Sequence, residues 1–304
     1  MPATSARSAA RAVAVLDQFT TNPGRPFTLS ELAAAVGASL SSLSSVLHAL
    51  VDGGYLVRHP RHKTYELGPA LVAVGRAASV RHPVVDLAKP VLARLAERHE
   101  ADCLGSVMLR DEIIVLAVEG PATQFTRGMV VGHRIPLTPP FGSIWMAYRG
   151  PDAVQPWLRS ATSGTDDPET VARMQDALRA VRARGYAVAL RSEPLATFHE
   201  VVTAPTPRAA RVARERLRAI AATIGSQYEL LRETPETTYE PEMVIALVFG
   251  PDGDVVFAIT LVGLAPRTGA QITRIADDVV EAGLGLTRVI GGRAPSCEAD
   301  RTAS

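Results

Sequence analysis

Apolar residues recur at helical spacing in three short runs: Ala12, Val13, Leu16 and Phe19; Leu29, Leu32, Ala33 and Val36; Leu43, Val46, Leu47 and Leu50. Steps of three and four put each set on one helix face, so the pattern predicts three amphipathic helices around a shared core. The breaks between them fit. Asn22-Pro23-Gly24 closes the first run, Gly37 the second and Gly53-Gly54 the third, each a residue type that ends a helix without strain. Thr28 followed three residues later by Glu31 predicts a capping box, and Ser39 is a second natural N-cap. The period then drops to two. Residues 55–58 and 64–67 alternate as strands around the basic tip Arg58-His59-Pro60-Arg61-His62-Lys63. Helix, turn, helix and basic hairpin is the layout of a winged helix-turn-helix. In that layout the second helix of the motif enters the major groove, and the wing follows the phosphates. The candidate DNA contacts are Thr28, Ser39, Ser41, Ser42, Ser44, Ser45 and His48 from the helices, with Arg58, His59, Arg61 and Lys63 from the wing.

Beyond the wing, residues 70–80 read as a linker helix stopped by His82-Pro83, and residues 84–99 as another amphipathic helix. The texture then turns β-rich. Residues 103–109 and 113–119 form an expected hairpin about Arg110-Asp111-Glu112, residues 124–131 an expected third strand, and residues 132–142 a loop running into a helix over 143–149. A helix over 168–184 stopped by Gly185, a strand over 186–190 and a charged helix over 208–232 follow, the last capped by Thr206 with Pro207 in its first turn. Residues 243–250 and 255–263 make a hairpin about Pro251-Asp252-Gly253-Asp254, and a helix over 271–290 closes the pattern. Helices segregated around antiparallel hairpins indicate an α+β class. The expected division is a winged helix-turn-helix at 1–68, a linker helix at 69–82, a second domain at 83–292 holding a helical insertion at 194–239, and a flexible tail at 293–304.

Composition narrows the picture. The 304 residues are 47% hydrophobic and carry a net charge of +1, enough for two cores and too little charge for a general polyanion coat. Through residue 80 there are seven basic residues against four acidic ones, a mild bias in the domain expected to meet DNA. The two cysteines, Cys103 and Cys297, lie far apart with no CxxC spacing, so neither a zinc ribbon nor a disulfide framework is expected and a reducing cytoplasm fits. The longest apolar run, 243–249, is too short to span a bilayer. There is no GxSxG, HExxH or Walker loop, and Gly283-Leu284-Gly285 follows a helix instead of a strand. His199-Glu200 beside Glu193 lacks a third ligand at a recognisable spacing and reads as exposed loop. No metal, cofactor or enzymatic activity is expected.

Six stretches in order resemble the IclR-type bacterial transcriptional regulators. They are Ala12-Val13-Ala14-Val15-Leu16, Leu50-Val51-Asp52-Gly53-Gly54-Tyr55-Leu56, Tyr65-Glu66-Leu67-Gly68-Pro69, Leu87-Ala88-Lys89-Pro90-Val91-Leu92, Val181-Arg182-Ala183-Arg184-Gly185-Tyr186 and Val248-Phe249-Gly250-Pro251-Asp252-Gly253. The resemblance implies a GAF-like antiparallel sheet with flanking helices that binds a small organic effector. It also implies homodimers or dimers of dimers on a pseudo-palindromic operator, and an effector that rearranges the DNA-binding heads. Regulators of both signs occur, and a repressor is the expectation here.

The chain departs from the family at both sites. Ser45 stands where the family usually carries an arginine and Leu40 where it often has a basic or polar residue. In the expected pocket, Met243 replaces a common cysteine, and Thr260 and Val262 replace two serines. Leu247 replaces a proline, and Ala189 and Leu190 replace acidic residues. The candidate pocket residues are Met108, Met129, Thr138, Phe141, Gly142, Ser143, Met243, Phe257 and Thr260, with Met146 and Trp145 as further apolar wall. Arg127, His133 and Arg134 either pair with an effector carboxylate or make surface salt bridges. A largely apolar wall with few polar groups suits an aromatic or bulky apolar acid. The alternative reading is a metabolite-binding module or enzyme with a degenerate DNA-binding head, which the serine-rich helix supports.

Overall fold

The computed structural model describes residues 6–20, 22, 24–123, 126–127, 129–161, 168–191 and 228–295. They fall into two compact units, one running to Pro83 and the other starting at Val84.

In the first unit, α1 (Ala6–Thr20), α2 (Leu29–Val36) and α3 (Leu40–Asp52) enclose a core of Val15, Phe19, Phe27, Leu32, Leu43, Val46, Leu47, Leu56 and Tyr65. The Thr28–Glu31 capping box forms in full, and Gly37 ends α2 in the left-handed conformation at φ 64°. The three-residue turn Gly37-Ala38-Ser39 bends the chain by 110° between α2 and α3, within the helix-turn-helix range. Strands β2 (Leu56–Arg58) and β3 (Thr64–Leu67) make the wing, and β1 (Phe27–Thr28), which the sequence pattern does not reveal, pairs with β3 to complete a three-stranded sheet. A Thr28→Ala variant removes the acceptor for the Glu31 N–H at the head of α2. It should cost about 1 kcal/mol in chemical denaturation. After the wing, α4 (Ala70–Arg81) buries none of its residues.

The second unit is a six-stranded antiparallel sheet in the order β6-β5-β4-β10-β9-β7. Its strands are β4 (Asp102–Leu109), β5 (Glu112–Glu119), β6 (Arg134–Pro136), β7 (Tyr186–Leu190), β9 (Pro241–Phe249) and β10 (Val255–Val262). A two-residue strand, β8 (Thr238–Tyr239), pairs with β11 (Arg267–Thr268) at the side. Helices α5 (Val84–His99) and α9 (Gly269–Val289) cover one face, burying Ala88, Leu92, Leu95, Ile272, Ile275 and Val279 against Cys103, Phe257, Ile259 and Leu261. Helices α6 (Ser143–Met146), α7 (Pro151–Ala161) and α8 (Pro168–Arg184) supply a second core on the other, with Trp145, Trp157, Leu158, Met174 and Val181 packed on Ala187, Leu247 and Ala258. The Cys103 thiol is buried, which pushes its pKa up and leaves it a packing group.

Three expectations need correction. No strand forms at the described residues of 124–131: Thr126 and Arg127 sit in a turn, and the third strand is β6, inside the stretch expected to be a loop. The cause is Asp102. Its buried carboxylate accepts the N–H groups of Ala122 (2.9 Å) and Thr123 (2.6 Å) and the Thr126 hydroxyl, which ties Ala122, Thr123 and Thr126 back to the start of β4. Second, α6 spans only Ser143–Met146, and α7 is an additional helix that the apolar spacing does not reveal. Third, of the helix expected over 208–232 only the end is described. Tyr228 to Leu230 run extended beside β7, with Leu190 N–H on Tyr228 O (2.8 Å) and Leu230 N–H on Val188 O (2.9 Å). Glu193, Thr206, Pro207, His199 and Glu200 lie outside the described residues. No single helix among those described is long and apolar enough to cross a membrane.

Candidate functional site

The outward face of α3 carries Leu40, Ser41, Ser45 and His48, all exposed, while Leu43, Val46 and Leu47 face inward. Ser39 accepts the Ser42 N–H at 3.4 Å as the N-cap, and the Ser42 hydroxyl accepts from Arg11 of α1, so both are occupied in building the motif. Ser45 Oγ donates to Ser41 O at 3.5 Å, which leaves its lone pairs outward. His48 Nδ1 lies 2.8 Å from the Ser44 carbonyl. A carbonyl only accepts, so Nδ1 carries the proton, and a neutral ring then presents Nε2 as an acceptor. Thr28 has both its N–H and its hydroxyl on Glu31, making it a cap more than a reader.

In the wing, His59 Nδ1 accepts the N–H groups of Arg61 and His62, each at 3.2 Å, and its ring lies 4.5 Å from that of His62. Lys63 turns the tip back at φ 57°. Arg58, Arg61 and Lys63 are exposed around this small framework, with the Arg58 guanidinium 5.8 Å from the Tyr65 ring centre. Three cations thus sit together on one exposed tip and form a local positive patch.

The second unit encloses a cavity of about 70 Å³, room for several waters or a small organic molecule. All six strands of its sheet contribute, through Leu104, Ser106, Ile113, Val115, Ile135, Thr260, Met243, Ile245, Ala187 and Ala189; Met129, Tyr228, Glu229 and residues 140–145 complete it. A bulge helps set this face. Ser106 pairs with Val115 and Gly105 with Ala117, so β5 carries one extra residue and its inward parity changes there. Trp157 Nε1 donates to Phe141 O at 3.1 Å and holds the 140–145 segment in place.

Among the described residues, one carboxyl lines this cavity. Glu229 is buried, accepts the Ser143 hydroxyl on Oε2 at 2.7 Å, and has Arg184 Nη2 3.6 Å from Oε1. Burial outweighs those contacts and pushes its carboxyl up to about 7 from an ordinary 4.5. The folded chain therefore holds this proton more tightly than the unfolded chain does. The stability it contributes is present below about pH 4.5 and is lost as pH rises through about 7. Glu229→Gln removes that loss, so the variant should gain stability relative to the parent between pH 5 and 8, by at most about 3 kcal/mol. Melting temperatures measured across that range will check the sign.

Residues 8–60 match the family model described as the IclR helix-turn-helix domain. Over 189 residues, 60% of this chain and 73% of the relative, the sequence is 27% identical to the HTH-type transcriptional regulator XynR of Escherichia coli K12. The matched stretch is an IclR-type helix-turn-helix domain. The IclR-type fold extends along the chain: an IclR transcriptional regulator from Alicyclobacillus acidocaldarius superposes with a TM-score of 0.64 at 20% identity, covering 93% of this chain and 98% of that one. An IclR homolog from Microbacterium hydrocarbonoxydans, complexed with 4-hydroxybenzoate, gives 0.58 at 19% identity over 93% and 98% of the two chains.

In the second unit, Met129, Phe141, Gly142, Ser143, Trp145, Met243 and Thr260 line the cavity. The other residues expected there do not. Phe257 points to the opposite face, where a Cβ on Gly105 would come within 2.3 Å of its ring, and it packs with the α5 and α9 core. Met108 is on the cavity side but packs into the α6–α8 core. Thr138 is buried in the turn whose carbonyl receives the Phe141 N–H at 2.8 Å. Arg127 is exposed, its N–H on Thr123 O at 2.9 Å, and Arg134 pairs with Glu112 at 3.0 Å. His133 is buried with Nδ1 3.3 Å from Val130 N, and burial lowers its pKa so that the ring is neutral and structural. Sequence reasoning missed Tyr228, Glu229 and Trp157. The only signal was apolar Tyr228 and Leu230 two residues apart, weak beside the charged helical pattern preceding them.

Proposed function

We propose that this chain is a cytoplasmic, ligand-responsive repressor that binds a pseudo-palindromic operator as a homo-oligomer and takes a small organic effector in the cavity of its second unit. The observation that carries the reading is the pairing in one chain of a winged helix-turn-helix with a separate unit that encloses a largely apolar cavity. Ser41, Ser45 and His48 would face base edges, where serine hydroxyls discriminate weakly and His48 Nε2 would accept from a cytosine or adenine amino group. Arg58, Arg61 and Lys63 would supply most of the affinity. A second copy of the chain would cover α4, where Val72 and Val80 are 70% and 80% exposed. The 4-hydroxybenzoate complex of the Microbacterium relative supports a small organic ligand as the class of effector. An effector that binds one arrangement of the heads more tightly than another shifts the population between them.

The test is a mobility-shift assay with the DNA upstream of the protein's own gene. A retarded band at low salt is the expected result. No band at low salt on any fragment of that region would overturn the reading.

A further inference from the structure

We infer that Glu229 reads a hydrogen-bond donor on the molecule the cavity holds, so the effector presents a hydroxyl or amino group to this carboxyl and an apolar body to the remaining wall. The inference rests on the cavity being the effector site and adds the chemistry of the ligand.

Glu229 Oε1 is buried and has no hydrogen-bond donor among the described residues. Arg184 Nη2, itself without a hydrogen-bond partner among them, lies 3.6 Å away, beyond hydrogen-bond distance, and the other donors nearby are spent. Ser143 gives its hydroxyl proton to Oε2, and the Tyr228 hydroxyl lies 3.8 Å from Met243 Sδ. Arg184 lies within ion-pair distance but is divided. It donates through Nε to Tyr186 O at 2.8 Å and through Nη1 to Leu230 O at 2.7 Å and Glu233 at 2.9 Å. One guanidinium thus serves two carboxylates, and the set retains a negative balance when both are ionised. Among the described residues no Lys, Arg or His lines the cavity; Arg173 lines a smaller adjoining space that Glu229 also borders, and it pairs with Glu169.

An acceptor left unpaired in such a place is costly, and the cost is recovered when a ligand donor completes it. Above about pH 7, where Glu229 is ionised and where the probes are compared, a ligand whose only polar group is a carboxylate brings a second anion to the same wall instead. The apolar partners are Leu104, Ile113, Val115, Met129, Met243 and Ile245. The aromatic or apolar acid suggested by the sequence therefore needs a hydroxyl or amino group as well.

The test uses full-length protein and five probes: benzyl alcohol, phenol, benzylamine, toluene and benzoate. Binding is read by ligand-observed NMR titration against the parent, Glu229→Gln and Glu229→Leu. The parent should bind the three donor probes roughly tenfold or more better than toluene or benzoate, the ratio expected of a hydrogen bond to a charged or buried partner. Glu229→Gln, nearly isosteric and with a carbonyl that still accepts, should keep the two hydroxyl probes and lose the preference for benzylamine. Glu229→Leu should invert the order in favour of toluene. Circular dichroism melts establish that each variant is folded, and Glu229→Gln carries the test alone if the leucine variant is not. Equal binding of donor and non-donor probes to the parent, or an unchanged order in a folded variant, overturns the inference while leaving the cavity as a ligand site. Failure of all five at millimolar concentration overturns the cavity reading, and this inference with it.

Discussion

Replacing Arg58, Arg61 and Lys63 together by alanine is expected to weaken binding to every DNA sequence tried, by roughly a hundredfold at 0.1 M salt, and to flatten the salt dependence by two to three units of slope. Each cation displaces about one condensed counterion from the duplex, and the wing supplies three of them from one exposed tip. Fluorescence anisotropy titrations at several salt concentrations will give both quantities. The fold should survive, because the wing core is Leu56 and Tyr65 and the three removed charges are exposed. Substitutions on α3 should behave differently. Alanine at Ser41, Ser45 and His48 should narrow the gap between the preferred sequence and random DNA, because base contacts specify while phosphate contacts position. An unchanged salt slope in the triple variant would remove the wing from the interface.

Asp102→Ala is expected to destabilise the second unit by about 3–5 kcal/mol. The carboxylate is fully buried and satisfies two backbone N–H groups and one hydroxyl. Its removal strands all three donors, each of which costs about 1–3 kcal/mol when left unpaired in the interior. Urea denaturation should show a lower midpoint with an unchanged slope. Asp102→Asn should fall between the two, since one amide oxygen can still accept. A loss under about 1 kcal/mol would mean that the loop finds other partners. Because this loop precedes Met129, the variant should also loosen one wall of the cavity.

The helix-turn-helix was legible because each of its signals is local. A capping box, a left-handed glycine and a heptad-like apolar stripe are written within a dozen residues of one another, and the structure places Thr28, Glu31, Gly37 and Ser39 in those roles. The pairing of β1 with β3 was not, since two residues carry no period. In the second unit the β9–β10 hairpin was readable from its turn, but the cavity face was not fully read. Phe257 and Thr260 are three apart on one strand, so parity alone sends them to opposite faces, and grouping both by residue type set that aside. Asp102 shows the other limit. A single buried acid reaching residues twenty positions later redirects the chain, and no window of hydrophobic periodicity contains both ends of that interaction. Glu229 is a similar case: its place beside Ala189 is set by a bridge between distant segments.

The central claim is that two such heads read one operator together. Nuclease footprinting of purified protein on the DNA upstream of its own gene tests it most directly. Two protected half-sites are predicted, centred a whole number of helical turns apart, about 10–10.5 base pairs or a multiple. Absence of protection at low salt, or a single protected patch without a symmetry mate, would contradict it.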